Sequence, residues 1–208
     1  MKRNIFYLLL IFLLLLSCNK KENINEAYNN DTTNYADLFS NKEINFKKLE
    51  LGRDISTNER YFITNASVSF IPPINSIKLT DKERDDIISK TGYGKGYFDV
   101  DSMFIDEKVK ITCLAGYTKK DANNLNSLIS FIRKMDNGDN FTEEYYTING
   151  IKNIQFKINM NNATSILYTI FESNNGYYFI LNYTFPVSYL EDSLIRIANS
   201  LNSVNFNF

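Results

Sequence analysis

The chain has 208 residues with 23 basic and 24 acidic side chains, and it contains no histidine and no tryptophan. This length suits one domain behind a leader, and a near-neutral charge without a basic stripe excludes nucleic acid as an expected partner. Without imidazole the commonest general base, the commonest metal ligand and every imidazole-dependent triad are gone, so catalysis would have to run on carboxylates or on Ser, Tyr and Lys.

Lys2 and Arg3 precede an unbroken apolar run from Ile5 to Leu16, and the composition changes after Ser17. As a helix this run rises about 18 Å, short of the roughly 20 residues that span a bilayer. Positive charge, short apolar core and small residue, in that order, predict a secretory signal peptide over residues 1–17. Its end, Leu15-Leu16-Ser17-Cys18, resembles the bacterial lipobox, in which a diacylglyceryl thioether forms on the cysteine, the chain is cut before it and the new amine is acylated. Cys18 is therefore the expected lipidation site, and the membrane an expected partner through palmitate-type acyl chains. Several chains, at about 0.8 kcal/mol per buried CH₂, meet the requirement for stable anchoring. Asn19 replaces the aspartate that resembles an inner-membrane retention signal, and Lys20-Lys21-Glu22 is similar to export tags of some Gram-negative lipoproteins, which directs the expectation to the outer membrane. Loss of Lys2 and Arg3 leaves 21 of the 23 basic residues against 24 acidic ones, a net charge of −3.

Residues 18–45 are polar and short of periodic apolar positions, which predicts a lipidated N-terminus and flexible tether with at most a brief helix at Tyr35–Phe39. Residues 46–208 are expected to form a single α+β domain. FKKLEL and RYFITNASVSF read as strands, the second stopped by Pro72-Pro73. Thr80 and Glu83 match a capping box, in which each side chain satisfies the other's amide, so a helix is predicted over 81–90, broken by GYGKG. YFDVDSMFI and KVKITCLAGY follow as strands. Apolar residues from Ala122 to Met135 then recur at helical spacing, which predicts a helix over 119–135 with Thr118 and Asp121 at its start.

The last third reads as a meander. Asn149-Gly150 joins EEYYTI to IKNIQFKINM, and Asn174-Asn175-Gly176 joins SILYTIFES to YYFILNYTF. Ile166, Tyr168 and Ile170 alternate with Leu167 and Phe171, so both faces are apolar and both need cover. Ser188 and Glu191 suggest a second capping box, with Leu190, Leu194, Ile197, Ala198 and Leu201 as the stripe of a closing helix, and SVNFNF as an edge strand. The expected fold is an antiparallel sheet of six or seven strands with a four-strand C-terminal meander and helices on both faces.

GIKNIQFKIN, SILYTIFES, NNGYYFILNYTFP and a helix ending IANSLNSVNF together resemble the PsbP-like fold, whose members close with two strands, a helix and an S-x-x-F ending. Ile63 to Pro72 is similar to that family's early F-x-x-x-x-P strand, and coverage runs from about residue 60 to 208. The resemblance implies an αβα sandwich that binds or assembles with larger protein partners. It places no functional residue here, and fold alone does not carry function.

The remaining candidates weigh toward structure. Gly92-Tyr93-Gly94-Lys95-Gly96 lacks the spacing and hydroxyl of a phosphate loop. Asp99, Asp101, Asp106 and Glu107 do not match the twelve-residue calcium loop. Asp81, Glu83, Asp85 and Asp86 read as a solvated helix face. Cys113, in VKITCLAGY, reads as a small buried hydrophobe, without a disulfide. Tyr93, Tyr97 and Tyr145 are candidates to rim a binding surface. The expected function is a lipid-anchored envelope module that binds or assembles, without cofactor or metal, with an envelope protein as partner; the alternatives are a carboxylate-based hydrolase and a purely structural surface lipoprotein.

Overall fold

The computed structural model describes residues 38–51, 59–136, 141–160 and 163–206. Cys18, the signal peptide and most of the expected tether lie outside these residues. The strands are β1 (Lys47–Lys48), β2 (Tyr61–Ile63), β3 (Val68–Phe70), β4 (Ile77–Lys78), β5 (Asp99–Asp106), β6 (Ile111–Lys119), β7 (Phe141–Ile148), β8 (Ile151–Met160), β9 (Thr164–Glu172) and β10 (Tyr177–Pro186). The helices are α1 (Asp81–Thr91), α2 (Ala122–Arg133) and α3 (Leu190–Asn202).

Eight strands form one sheet in the order β1-β7-β8-β9-β10-β6-β5-β4, which is larger than the six or seven expected. It is also mixed, because β1 runs parallel to β7. β1 falls within FKKLEL, which reads as a strand, whereas the two-residue edge β4 was not expected. Such short pairings depend on distant partners and leave no periodic signal in the sequence. The meander from β7 to β10 is as expected. Asn149 and Gly150 both take positive φ, 51° and 80°, as a tight hairpin turn between right-twisted strands requires.

Both faces of the sheet are covered. On one, Ile154, Phe156, Ile166, Tyr168, Ile170 and Ile180 pack with Ile87 of α1 and with Leu125, Leu128, Ile129 and Ile132 of α2. On the other, Phe171, Phe179, Leu181 and Tyr183 pack with Ile197 and Leu201 of α3 and with the β2–β3 hairpin. The alternation read in β9 thus separates into two cores. Leu38 and Phe39 are buried in the first, where Phe39 stacks on Tyr178 and Phe46, so packing begins inside the stretch expected as tether.

Five local expectations are corrected. The stretch 60–70 is not one strand: a 3₁₀ turn at Thr64–Ala66, closed by Ser67 in the left-handed region, folds it into the separate sheet β2–β3. Helix α2 is capped by Asp121, whose carboxylate accepts from Asn124 N, and Thr118 stays in β6. The start of α3 has no side-chain cap at Tyr189, the last residue of a 3₁₀ turn at Val187–Tyr189. The inward face of α3 keeps Ile197 and Leu201 of the expected stripe but adds Ser193 and Ser200, while Leu194 is exposed. The buried Tyr183 hydroxyl donates to Ser200 Oγ at 2.9 Å, which turns that serine toward the sheet. The tail pairs Asn205 with Ser69 of β3 rather than with the main sheet.

Candidate functional site

Helix α3 leaves its last carbonyls without helical partners, as every helix does. Two distant segments and the helix's own C-cap residue, Ser203, satisfy them. Arg60 Nη1 donates to Ser203 O at 2.8 Å and to Ser69 Oγ at 3.0 Å. Asn149 Nδ2, from the β7–β8 turn, donates to Asn202 O at 2.7 Å and to Asn202 Oδ1 at 2.9 Å. Ser203 Oγ donates to Ser200 O and accepts from Ile71 N at 2.7 Å. A guanidinium at this end also complements the negative pole of the helix dipole.

Two adjoining hollows open beside these elements, the first where they meet the β9–β10 turn. The first, about 330 Å³, is lined by Arg60, Asn149, Asn174, Asn202, Asn205 and Phe206, among others. The second, about 610 Å³, lies beside β1 and shares Asn149 and Asn202 with the first. Only one guanidinium nitrogen of Arg60 is engaged by protein, and no carboxylate pairs with it among the described residues. Each asparagine amide offers both a donor and an acceptor. Glu50, the one acid lining either hollow, pairs with Lys48 at 2.7 Å.

The residues singled out from sequence lie elsewhere and make structural contacts. Gly92 is the left-handed C-cap of α1, and at Gly94, φ 70°, a Cβ would lie 2.9 Å from the Phe98 ring, so the glycine loop leaves a helix C-terminus and does not open a helix. Asp81 and Asp85 both pair with Arg84, and Glu83 completes the capping box with Thr80. Asp101, the extra residue of a bulge between Val100 and Ser102, accepts from Tyr61 Oη at 3.0 Å. Asp106 is buried, with Arg196 Nη1 on Oδ2 at 2.6 Å and the Lys108 and Val109 amides on Oδ1. Among the described residues no group of three acids or thiols is arranged to hold a metal.

The three tyrosines are half-buried. Tyr93 bonds the hydroxyl of the buried Tyr168, and Tyr97 stacks on Phe131 at 4.3 Å. Burial and Glu143, to which its hydroxyl donates, push the Tyr145 phenol well up. Cys113 is a buried free thiol, pushed far above the usual range by its burial, so it is held as an unreactive thiol.

The cleft itself was not legible as a site, because Arg60, Asn149, Asn174 and Asn202 are far apart in sequence. The available signal was the two asparagine turns, which a chain meandering up and down must bring to the same end of the sheet.

No protein-family model and no curated protein matches the chain. Among solved structures it is similar to the cyanobacterial PsbP (CyanoP) of Synechocystis sp. PCC 6803, with 14% identity and a TM-score of 0.49 over 74% of this chain and 95% of that one. It is also similar to a protein from Bacteroides thetaiotaomicron, with 11% identity and a TM-score of 0.44 over 73% of this chain and 49% of that one. Both likenesses concern the fold, and no functional residue is carried over from either.

Proposed function

We propose that this chain is a bacterial envelope lipoprotein, anchored in the outer membrane through acyl chains on Cys18, whose PsbP-like domain is a non-enzymatic binding or assembly module. The observation that carries the binding role is the cleft at the end of the sheet. Its lining of amides, one guanidinium and an aromatic ring can recognise a partner through fixed hydrogen bonds. Such groups have no proton to exchange near neutral pH, which speaks against the hydrolase reading. The lipobox and the polar stretch after it support the anchor.

Two measurements test this. Fatty-acid labelling in cells is expected to be lost in Cys18→Ser, and unchanged labelling refutes the anchor. A photo-crosslinker at position 174, on the rim of the cleft, is expected to give a discrete envelope adduct in intact cells. Crosslinking no different from that of a distant exposed position, such as 82 on α1, refutes the binding role.

A further inference from the structure

Arg60 is the only cation among the described residues lining the 330 Å³ hollow, and no acid lines it. Its guanidinium is pinned from one side: Nη1 is taken by Ser69 Oγ and Ser203 O, while Nε and Nη2 donate to no protein atom among the described residues. That free edge is the planar fork that grips an oxyanion through two parallel hydrogen bonds. One fixed positive charge suits a monoanion, whereas a phosphate monoester carries about −1.5 to −2 near neutral pH and calls for more than one cation.

The remaining lining is uncharged and two-handed. Asn174, on the β9–β10 turn, makes no protein hydrogen bond among the described residues, Asn202 Oδ1 is already satisfied, and its Nδ2 is left over along with Asn149 Oδ1. Such amides match hydroxyls that both donate and accept. Phe206 is packed edge-on to Phe171 and Phe179, which fixes its ring in the lining of the hollow. The volume lies at the lower end of the roughly 300–1,000 Å³ typical of small-ligand sites.

We propose that this hollow binds a small polyhydroxylated monocarboxylate, of the uronate or aldonate class, with its carboxylate on Arg60 Nε and Nη2 and its hydroxyls on the amides of Asn149, Asn174 and Asn202. The proposal rests on the binding role argued above and names its ligand class.

The test is calorimetric titration of the full mature chain in detergent with glucuronate, gluconate, methyl glucuronide, glucose and inorganic phosphate. Saturable binding of glucuronate or gluconate is expected in or below the range of about 1 mM, with glucose and phosphate at least about tenfold weaker. Asn174→Asp, which places a like charge beside the ligand at an exposed turn, is expected to weaken binding at least about tenfold with thermal unfolding unchanged. Arg60→Lys keeps the charge and loses the fork, and a loss of several-fold is expected with the helix end still capped. Methyl glucuronide separates the sources: if it binds as well as the free acid, the ligand is a chain-terminal residue, and if it does not, a free acid. No saturable binding of either acid at about 50 mM, equal affinity for glucose, or indifference to Asn174→Asp overturns the proposal. If position 174 crosslinks to an envelope protein while glucuronate and gluconate fail to bind, the ligand class is wrong and the binding role stands.

Discussion

Arg196→Met is expected to be among the most damaging single changes outside the apolar cores. Asp106, at the end of β5, is 1% exposed, so its carboxylate depends on protein partners. Arg196 of α3 supplies Nη1 at 2.6 Å and also holds the Ile74 carbonyl at 2.9 Å. Methionine fills much of the same volume but leaves the buried charge without its counter-ion, a change that costs about 3–5 kcal/mol. The Lys108 and Val109 amides still solvate Oδ1, at 2.8 and 3.2 Å, which places the cost near the lower figure of about 3 kcal/mol. With a urea m-value of about 2 kcal/mol/M for a domain of this size, the midpoint should fall by about 1.5 M at unchanged m. Urea unfolding followed by circular dichroism reads this directly. The double variant Asp106→Asn/Arg196→Met should recover part of the loss, because the stranded charge is gone. A midpoint shift below about 0.5 M in Arg196→Met, or a double variant that loses the sum of the two singles, would refute the reasoning.

Gly116→Ala should cost about 2–3 kcal/mol. Its added Cβ would lie 2.6 Å from the Asp99 carbonyl oxygen, a backbone atom held by the bulge opposite, and 2.8 Å from the Phe98 ring; a cost below about 0.5 kcal/mol in the same urea assay would contradict this. A second expectation concerns alkaline pH. The hydrogen bond to Glu144, then burial and that carboxylate's charge, push the Tyr146 phenol up to about 12, while burial and the charges of Glu172 and Asp121 push Tyr178 up to about 12. Both phenols hold their protons more tightly folded than unfolded, where they titrate near 10, so their contribution is intact below pH 10 and is lost as the pH rises toward 12. The slope is at most about 1.4 kcal/mol per pH unit for Tyr178 and less for the more exposed Tyr146. Stability that stays flat from pH 10 to 12, with ultraviolet titration showing both phenols ionising near 10, would refute it.

Where local chemistry decides an element, the sequence was readable. Thr80 and Glu83 set the start of α1, Asn149-Gly150 sets a hairpin, and the alternation in β9 fixes a sheet buried on both sides. Where a distant partner decides, it was not. Ser67 takes φ 42° without a glycine to announce the turn, because the β2–β3 hairpin is held down by Phe70 against Phe104 and Phe179. In the stripe of α3, Ile197 and Leu201 are buried as read, but Leu194 is exposed and Ser200 turns inward because Tyr183 recruits it, and an inward serine breaks the apolar period. Leu38 and Phe39 were hidden by polar neighbours, although Phe39 sits between Phe46 and Tyr178 and its carbonyl accepts from Lys152. The cleft failed to show for the same reason, since four chain segments build it and each reads locally as a turn, a strand start or a helix end.

The covering of the sheet narrows where recognition can occur. Helices and a hairpin occupy both faces, and at the edges β1 and β4 each pair only two residues. The ends of the strands are the places where polar side chains converge on a concave surface without opening the core. At one end the β7–β8 and β9–β10 turns, the start of β2 and the close of α3 meet, and both described hollows lie there. The chain also enters the domain at this end, because Phe39 packs beside Lys152 at the start of β8 and Tyr178 at the start of β10. If Cys18 carries the proposed anchor, the chain between it and Leu38 can extend at most about 70 Å at roughly 3.5 Å per residue. The domain's point of entry is then leashed within that distance of the bilayer, and the cleft with it, so its partners must be ones that come within reach of the membrane surface.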